Sequence, residues 1–183
     1  MAKKLEVSVL DYIADNCGEL VTYAFQKAID YCFKNGGGEV IVPAGEYLVG
    51  DIRLRSNVTF HLLENAVLKG SRNPADYQNF FNDTLETLPE EQLTGLHWKP
   101  IPERKGEHGN DHLNTAGSYW HYAVIRAAFS ENIAIIGEAG SQIDGQNCYD
   151  PEGEMKFRGP HGIDLHLCKN VKLSGYTVIN SGN

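Results

Sequence analysis

Three short stretches of this chain repeat one pattern. Asn57-Val58-Thr59-Phe60, Asn132-Ile133-Ala134-Ile135 and Asn170-Val171-Lys172-Leu173 each read asparagine, β-branched, variable, large apolar. In two of them a glycine follows within the same predicted strand, at Ile136-Gly137 and Ser174-Gly175. The spacings are 75 residues (132 − 57) and 38 (170 − 132). Removing an apparent insertion of about 50 residues from the first gap and about 13 from the second leaves a period of roughly 25 in both. A period of that size, with asparagine at a corner and inward Val, Ile and Leu, marks a solenoid, because each repeat can bury its apolar side only against its neighbours.

The residues between these repeats predict strands rather than helices. Glu39-Val40-Ile41-Val42-Pro43, Tyr47 to Leu54, Val58 to Leu63 and Ala66 to Lys69 are runs of period two, parted by corners such as Pro43-Ala44-Gly45, Ser56-Asn57 and Glu64-Asn65. Further strand-rich blocks run from Tyr122 to Gln146 and from Gly162 to Asn180. Corners of two or three residues leave no room for helical crossovers, which argues against a doubly wound α/β fold. The Leu-x-x-Leu-x-Leu rhythm of leucine-rich repeats is missing as well. The expected fold is therefore all-β, a parallel β-helix of three to four coils.

One helix is predicted, near residues 22–35. Ala24, Phe25, Ala28, Ile29, Cys32 and Phe33 fall on one face, Thr22 suits the N-cap, and Gly36-Gly37-Gly38 ends the helix. The first coil of a β-helix has an open apolar end and an unpaired strand edge, so residues 20–36 are read as the helical cap that covers both. Residues 1–183 then form a single domain with two polar insertions, at 72–120 and at 147–160. The longer carries Asn73-Pro74, Leu88-Pro89, Lys99-Pro100, Ile101-Pro102, Trp98 and Trp120; the shorter carries Asp150-Pro151-Glu152-Gly153. Long loops on a rigid stack are where binding usually resides.

Composition narrows the function classes. Lys plus Arg number 16 against 24 Asp plus Glu, a net charge of −8, which argues against nucleic acid as partner. A local basic patch can still receive an anionic sugar. No stretch approaches the roughly 20 apolar residues that span a bilayer, and no secretory signal is visible, so a cytoplasmic chain without a membrane partner is expected. Cys17, Cys32, Cys148 and Cys168 lie far apart with no CxxC, so reduced, packed thiols are expected, with no metal and no cofactor.

The segments Ala24-Phe25-Gln26-Lys27-Ala28-Ile29-Asp30, Gly36 through Leu48, Ser56 through Leu62, Leu68-Lys69-Gly70-Ser71 and Pro74-Ala75-Asp76-Tyr77 resemble the amino-terminal part of the polygalacturonase family of pectin-degrading glycoside hydrolases. The resemblance resumes at Asn132 through Gly137, Ile143-Asp144-Gly145-Gln146, Arg158-Gly159-Pro160-His161 and Cys168 through Gly175, and runs to Asn180-Ser181. It implies a right-handed parallel β-helix, here a truncated one, and inverting hydrolysis of α-linked galacturonic acid chains. In such a reaction two carboxyl groups about 6.5–9.5 Å apart leave room for the attacking water. The resemblance also implies signatures on coils beyond Ser181: Asn-Thr-Asp, Asp-Asp, Gly-His-Gly and Arg-x-Lys. None is present: Asn114-Thr115 is followed by Ala116, and Glu107-His108-Gly109 and Pro160-His161-Gly162 are not Gly-His-Gly. The chain is accordingly expected to be the front section of such an enzyme, without its catalytic carboxylates and inactive alone.

No residue is thus assigned a catalytic role. Asp144, before Gly145, reads as a corner residue, and Asp164 as a solvent-facing residue of its strand. Arg158 and His161 flank the third strand block and are substrate-contact candidates, since arginine matches a uronic carboxylate bidentately. In Tyr119-Trp120-His121-Tyr122, alternation sends Tyr119 and His121 to one side, a candidate sugar platform. His108 and His112 have i,i+4 spacing, but Gly106, Gly109 and Asn110 argue against a helix and hence against a metal there. The expected partner is a pectic oligo- or polysaccharide. Two alternatives remain: a non-catalytic carbohydrate-binding or assembly β-helix, and half of a split enzyme completed by another chain. An uncapped last coil at 170–180 favours self-association. Pectate lyase chemistry is a weaker rival, because no Asp cluster offers calcium several oxygens.

Overall fold

A computed structural model describes residues 4–13, 19–77, 123–148 and 159–182. Strand β1 (Glu6–Ser8) is followed by helix α1 (Thr22–Lys34) and then by three-sided coils. The first coil is β2 (Gly38–Val42), β3 (Gly45–Val49) and β4 (Ile52–Arg53). The second is β5 (Val58–Leu62), β6 (Ala66–Gly70) and β7 (Ala123–Ala128). The third is β8 (Glu131–Gly137), β9 (Gln142–Asp144) and β10 (His161–His166), and a fourth begins with β11 (Lys169–Ser174) and β12 (Thr177–Ile179). Every strand pair is parallel. The sheets run β1-β2-β5-β8-β11, β3-β6-β9-β12 and β4-β7-β10. This is a right-handed parallel β-helix.

The register shows what holds it. Val7, Val40, Phe60, Ile135 and Leu173 lie in line across the first sheet. Tyr47, Leu68, Ile143 and Val178 do so across the second, and Ile52, Ile125 and Ile163 across the third. Alternation points each of these inward, onto its counterpart one coil away. Val40, Phe60, Ile135, Leu68, Ile143, Ile52 and Ile125 have no exposed surface, and burying each such side chain contributes about 1.5–3 kcal/mol.

The steps between coils follow the repeat. Thr59 pairs with Ala134 and Ile133 with Val171, offsets of 75 (134 − 59) and 38 (171 − 133). Where no insertion intervenes the period is shorter than the expected value of roughly 25. Gly38 pairs with Val58 and Gly45 with Ala66, steps of 20 (58 − 38) and 21 (66 − 45). The corners are tighter than the sequence estimate assumed. The predicted strand from Tyr47 to Leu54 is likewise divided, because the chain turns at Gly50-Asp51.

Asn57, Asn132 and Asn170 take φ of 63°, 56° and 54°. Asparagine tolerates this left-handed corner better than residues with bulkier or branched side chains. Their side chains form a ladder up the stack. Asn132 Nδ2 donates to Asn57 Oδ1 at 2.9 Å, and Asn170 Nδ2 donates to Asn132 Oδ1 at 3.0 Å. At a neighbouring corner Gly175 has φ 85°, and a Cβ there would meet the carbonyl oxygen of Gly137 one coil below.

Helix α1 covers the first coil. Ala24, Phe25, Ala28, Ile29 and Cys32 are buried, with Phe25 edge-on to Tyr47 at 5.4 Å and tilted on Phe60 at 6.1 Å. Phe33, placed by the sequence on the same face, lies at its margin and is 47% exposed. Thr22 is the first helical residue and not the N-cap, which is Val21. The Thr22 hydroxyl instead accepts from the backbone N–H of Gly50 at 2.7 Å, tying the helix to the corner after β3. The last described coil is less covered. Val171, Leu173 and Val178, in register with the buried Ile133, Ile135 and Ile143, are 38%, 47% and 42% exposed.

The ladder yields a stability test. Asn132→Ala removes two side-chain hydrogen bonds and puts a Cβ-bearing residue without local hydrogen bonding at positive φ, so it is expected to destabilise the chain by about 2–3 kcal/mol in urea unfolding. Asn132→Gly, which relieves only the backbone strain, recovers part of that loss.

Candidate functional site

In each coil the chain passes from the second sheet to the third at one corner, and this corner carries the extra length. Between β3 and β4 only Gly50 and Asp51 intervene, whereas β6 ends at Gly70 and β7 starts at Ala123, and β9 ends at Asp144 and β10 starts at His161. Insertions that map to one side of a solenoid commonly mark its binding face. The outer face of the third sheet, bordered by that corner, is the candidate site.

Ile52, Ile125 and Ile163 point inward, so the alternate row of this sheet points outward. That row is Arg53, Arg126 and Asp164, in register on β4, β7 and β10. Asp51, at the corner itself, gathers both guanidiniums. Arg126 Nε donates to Asp51 Oδ1 and Arg126 Nη2 donates to Asp51 Oδ2 at 2.7 Å. Arg53 Nε donates to Asp51 Oδ2 at 3.2 Å. The Asp51 and Arg126 side chains are 6% and 3% exposed, and that of Arg53 is 27%. Taking these charges out of water is costly unless the pairing is bidentate and hydrogen-bonded, as it is here.

Arg53 is fixed from behind as well. Gln26 of α1 accepts from the Arg53 N–H at 3.0 Å and donates to the Arg53 carbonyl at 3.1 Å. The same Gln26 amide reaches Asp30 at 3.0 Å, and Asp30 receives Arg55 Nε at 3.3 Å. The cap helix thus sets the main chain of the strand that carries Arg53.

The approach to the corner is polar and ordered. Ser71 Oγ donates to Asp76, Asn73 Oδ1 accepts from the Ala75 N–H at 3.2 Å, and Tyr77 donates its hydroxyl to the Ser71 carbonyl at 2.8 Å. Burial, joined by nearby acidic groups, pushes the Tyr77 phenol well above its ordinary range. That hydroxyl stays a donor at any physiological pH. A second cluster lies on the outer face of the first sheet, where His61 bridges Glu39 at 2.6 Å and Glu138 at 3.2 Å, and Lys4 also reaches Glu39 at 2.8 Å. Burial would raise the Glu39 carboxyl, but hydrogen bonds and charge from Lys4 and His61 outweigh it and hold it below its usual value. This cluster ties three coils together away from the inserted segments.

Of the residues singled out from sequence, Arg158, Tyr119 and His121 lie outside the described residues, as do His108, His112 and Cys17. His161 opens β10 opposite Ala123 and shares the alternation of Ile163 and Leu165, which pack on the core. Asp164, read as solvent-facing, is half-buried and stands in the outward row with Arg126. Asp144 Oδ1 accepts from the Gln146 N–H at 2.8 Å and from Asn180 Nδ2 at 2.9 Å, the bonding of a corner residue. Cys32 and Cys148 are buried and Cys168 is half-buried. Among the described residues no three His, Cys, Asp or Glu side chains gather as metal ligands, and no helix is long and apolar enough to cross a membrane.

The sequence reading missed Asp51, Arg53 and Arg126. A signal was present: Arg126 interrupts the apolar run Ala123-Val124-Ile125-Arg126-Ala127-Ala128, and the ladder step of 38 carries it onto Asp164 (126 + 38). A charged residue inside such a run must have a partner when buried.

No protein-family model matches the chain. Among curated proteins it is 28% identical over 182 residues to a "Probable polygalacturonase" of Vitis vinifera, covering 95% of this chain and 32% of that protein. It is 41% identical over 76 residues to an exo-poly-alpha-D-galacturonosidase of Dickeya chrysanthemi, covering 41% of this chain and 12% of that protein. Among solved structures, an exopolygalacturonase from Thermotoga maritima superposes with a TM-score of 0.64 at 20% identity, covering 100% of this chain and 43% of that one. The chain therefore spans about a third of the length of the plant relative. The likeness to the polygalacturonase family extends along nearly the whole chain, and the solved structure shares its fold.

The buried trio makes a mutational prediction. Arg126→Met leaves Asp51 buried without its bidentate partner and is expected to cost about 3–5 kcal/mol in denaturant unfolding. The double change Asp51→Leu with Arg126→Met recovers part of it, because the buried Asp51 charge is gone while Arg53 loses one carboxylate partner.

Proposed function

We propose that this chain forms the N-terminal coils of a polygalacturonase-like glycoside hydrolase acting on pectic, galacturonic-acid-containing polysaccharide, and that these coils supply groove wall rather than the acid pair. The observation that carries this is the match along 95% of the chain to a plant polygalacturonase, in which the chain accounts for 32% of the partner's length. The site chemistry agrees with it. Inverting hydrolysis needs one carboxyl to protonate the leaving oxygen and another to activate water, about 6.5–9.5 Å apart. On the outer face of the third sheet, Asp51 already accepts guanidinium N–H donors on both oxygens. Asp164 alone does not make the pair, and the sequence has no Asp-Asp dipeptide.

A second reading, association through the last described coil, is favoured by the exposed apolar side chains of β11 and β12. Val171, Leu173 and Val178 are 38%, 47% and 42% exposed on strands at the edges of their sheets, and Leu167, between β10 and β11, is 45% exposed. Since α1 covers the first coil, this reading has two copies meeting through their last coils, and a second chain supplying further coils would occupy the same surface.

Two measurements test these readings. The purified chain is expected to release no reducing ends from polygalacturonate; turnover that co-purifies with the chain through successive columns overturns the division of labour. Sedimentation at rising concentration is expected to show self-association that Leu173→Asp abolishes, and a clean monomer throughout counts against the end-to-end contact.

A further inference from the structure

His61 stands on the outer face of the first sheet, in the row Ser8, Ile41, His61, Ile136 and Ser174. Ile41 and Ile136 flank it on the neighbouring coils, and its side chain is 20% exposed. Both ring nitrogens face carboxylates, and the two carboxylates come from different coils. Nδ1 lies 2.6 Å from Glu39 Oε1 on β2, and Nε2 lies 3.2 Å from Glu138 Oε1, just after β8. The second oxygens are engaged as well. Glu39 Oε2 accepts from Lys4 Nζ at 2.8 Å, and Glu138 Oε2 accepts from the Glu64 N–H at 3.1 Å. The adjacent outward row runs Glu6, Glu39, Thr59, Ala134 and Lys172, so Glu6 and Lys172 are the other charged groups in these two rows, with Lys4, Glu64 and Glu138 at their borders. A neutral imidazole has one N–H and one lone pair. Whichever nitrogen of His61 carries the proton, the other then turns a lone pair toward a carboxylate oxygen. Only the imidazolium donates to both.

We propose that His61 is a pH-sensitive clasp: as an imidazolium it bridges the first and third coils through Glu39 and Glu138, and on losing that charge it releases one of them. The clasp needs Glu39 ionised as well. Burial would raise that carboxyl, but hydrogen bonds and charge from Lys4 and His61 outweigh it and hold it below its usual value. The contribution of Glu39 is therefore present above the ordinary carboxylate range and is lost only as pH falls through the lowered value. For the ring the sign is opposite, since a proton that the folded arrangement uses stabilises at low pH and is given up as pH rises. An ordinary histidine side chain makes that change near about pH 6.5. The stack is accordingly held most tightly in mild acid. The clasp lies on a different sheet from the candidate groove, so it goes beyond the pectic reading and does not rest on it.

The test is urea unfolding of the whole chain and of His61→Gln at about pH 5.5 and about pH 8, on either side of the ordinary histidine range. The folding equilibrium constant of the unaltered chain is divided by that of the variant, which cancels the titration of the other histidines and of distant carboxylates. This ratio is expected to be about three- to tenfold higher at the acidic pH, the scale of a part-exposed, hydrogen-bonded ion pair. Glu138→Gln can turn an amide N–H toward an unprotonated Nε2, so in that background the pH dependence of His61→Gln is expected to shrink. A ratio that is equal at the two pH values, or higher at the alkaline one, overturns the clasp. A pH dependence that persists in full in the Glu138→Gln background overturns the bridge to the third coil. Circular dichroism establishes that the variants fold. If His61→Gln does not, the ratio of the unaltered chain to Glu138→Gln carries the test, with the same sign expected and the same reversal overturning it.

Discussion

The structure depends on parallel, in-register stacking of one coil on the next. Each coil is too thin to bury anything by itself: Phe60 is covered only because Val40 lies on one side and Ile135 on the other. The same holds for Leu68 between Tyr47 and Ile143. The backbone repeats this dependence, since a strand in the middle of the stack bonds to a coil before and a coil after. Stability in such a molecule is close to a sum of neighbour terms, so its ends differ in kind from its interior. One end is closed by α1; at the other, core positions face outward.

The same stacking explains how charged side chains far apart in sequence come together on one face. Register brings Arg53, Arg126 and Asp164 side by side although they lie far apart in sequence, and the corner before the third sheet is free to lengthen without disturbing the coils. Asp51 then occupies the place where the corner is shortest, close enough to draw in arginines from two coils. Burying the trio fixes side chains that would otherwise be mobile.

Much of the stack was legible in the sequence because its signals are local and repeated. The asparagines at 57, 132 and 170 gave the corner and, through their spacing, the true register of β5, β8 and β11. The apolar face of α1 was legible for the same reason, apart from Phe33 at its edge. The coil length was overestimated because insertion lengths had to be guessed, and the break at Gly50-Asp51, two residues depleted in strands, was passed over because strand-forming residues flank it on both sides. The charged site was harder to read. Its partners are joined by register and not by sequence proximity, and Asp51 looks like an ordinary turn residue until β7 is laid beside β4. Arg158, Tyr119 and His121 were chosen by residue type in or beside the inserted segments, whereas the described charge cluster joins Asp51 at a corner to Arg53 and Arg126 on strands.

The asparagine ladder has a direction, and so does assembly. Each amide donates downward, from Asn170 to Asn132 and from Asn132 to Asn57, and each coil finds an apolar floor in the one before it. A chain emerging from the ribosome can therefore lay down its coils in the order in which they are made, with the closing helix first and every later turn settling on a finished surface. A polypeptide started in the middle would have no such floor. Vectorial synthesis and the geometry of the stack thus point the same way, and a lesion in an early coil disturbs everything laid on top of it.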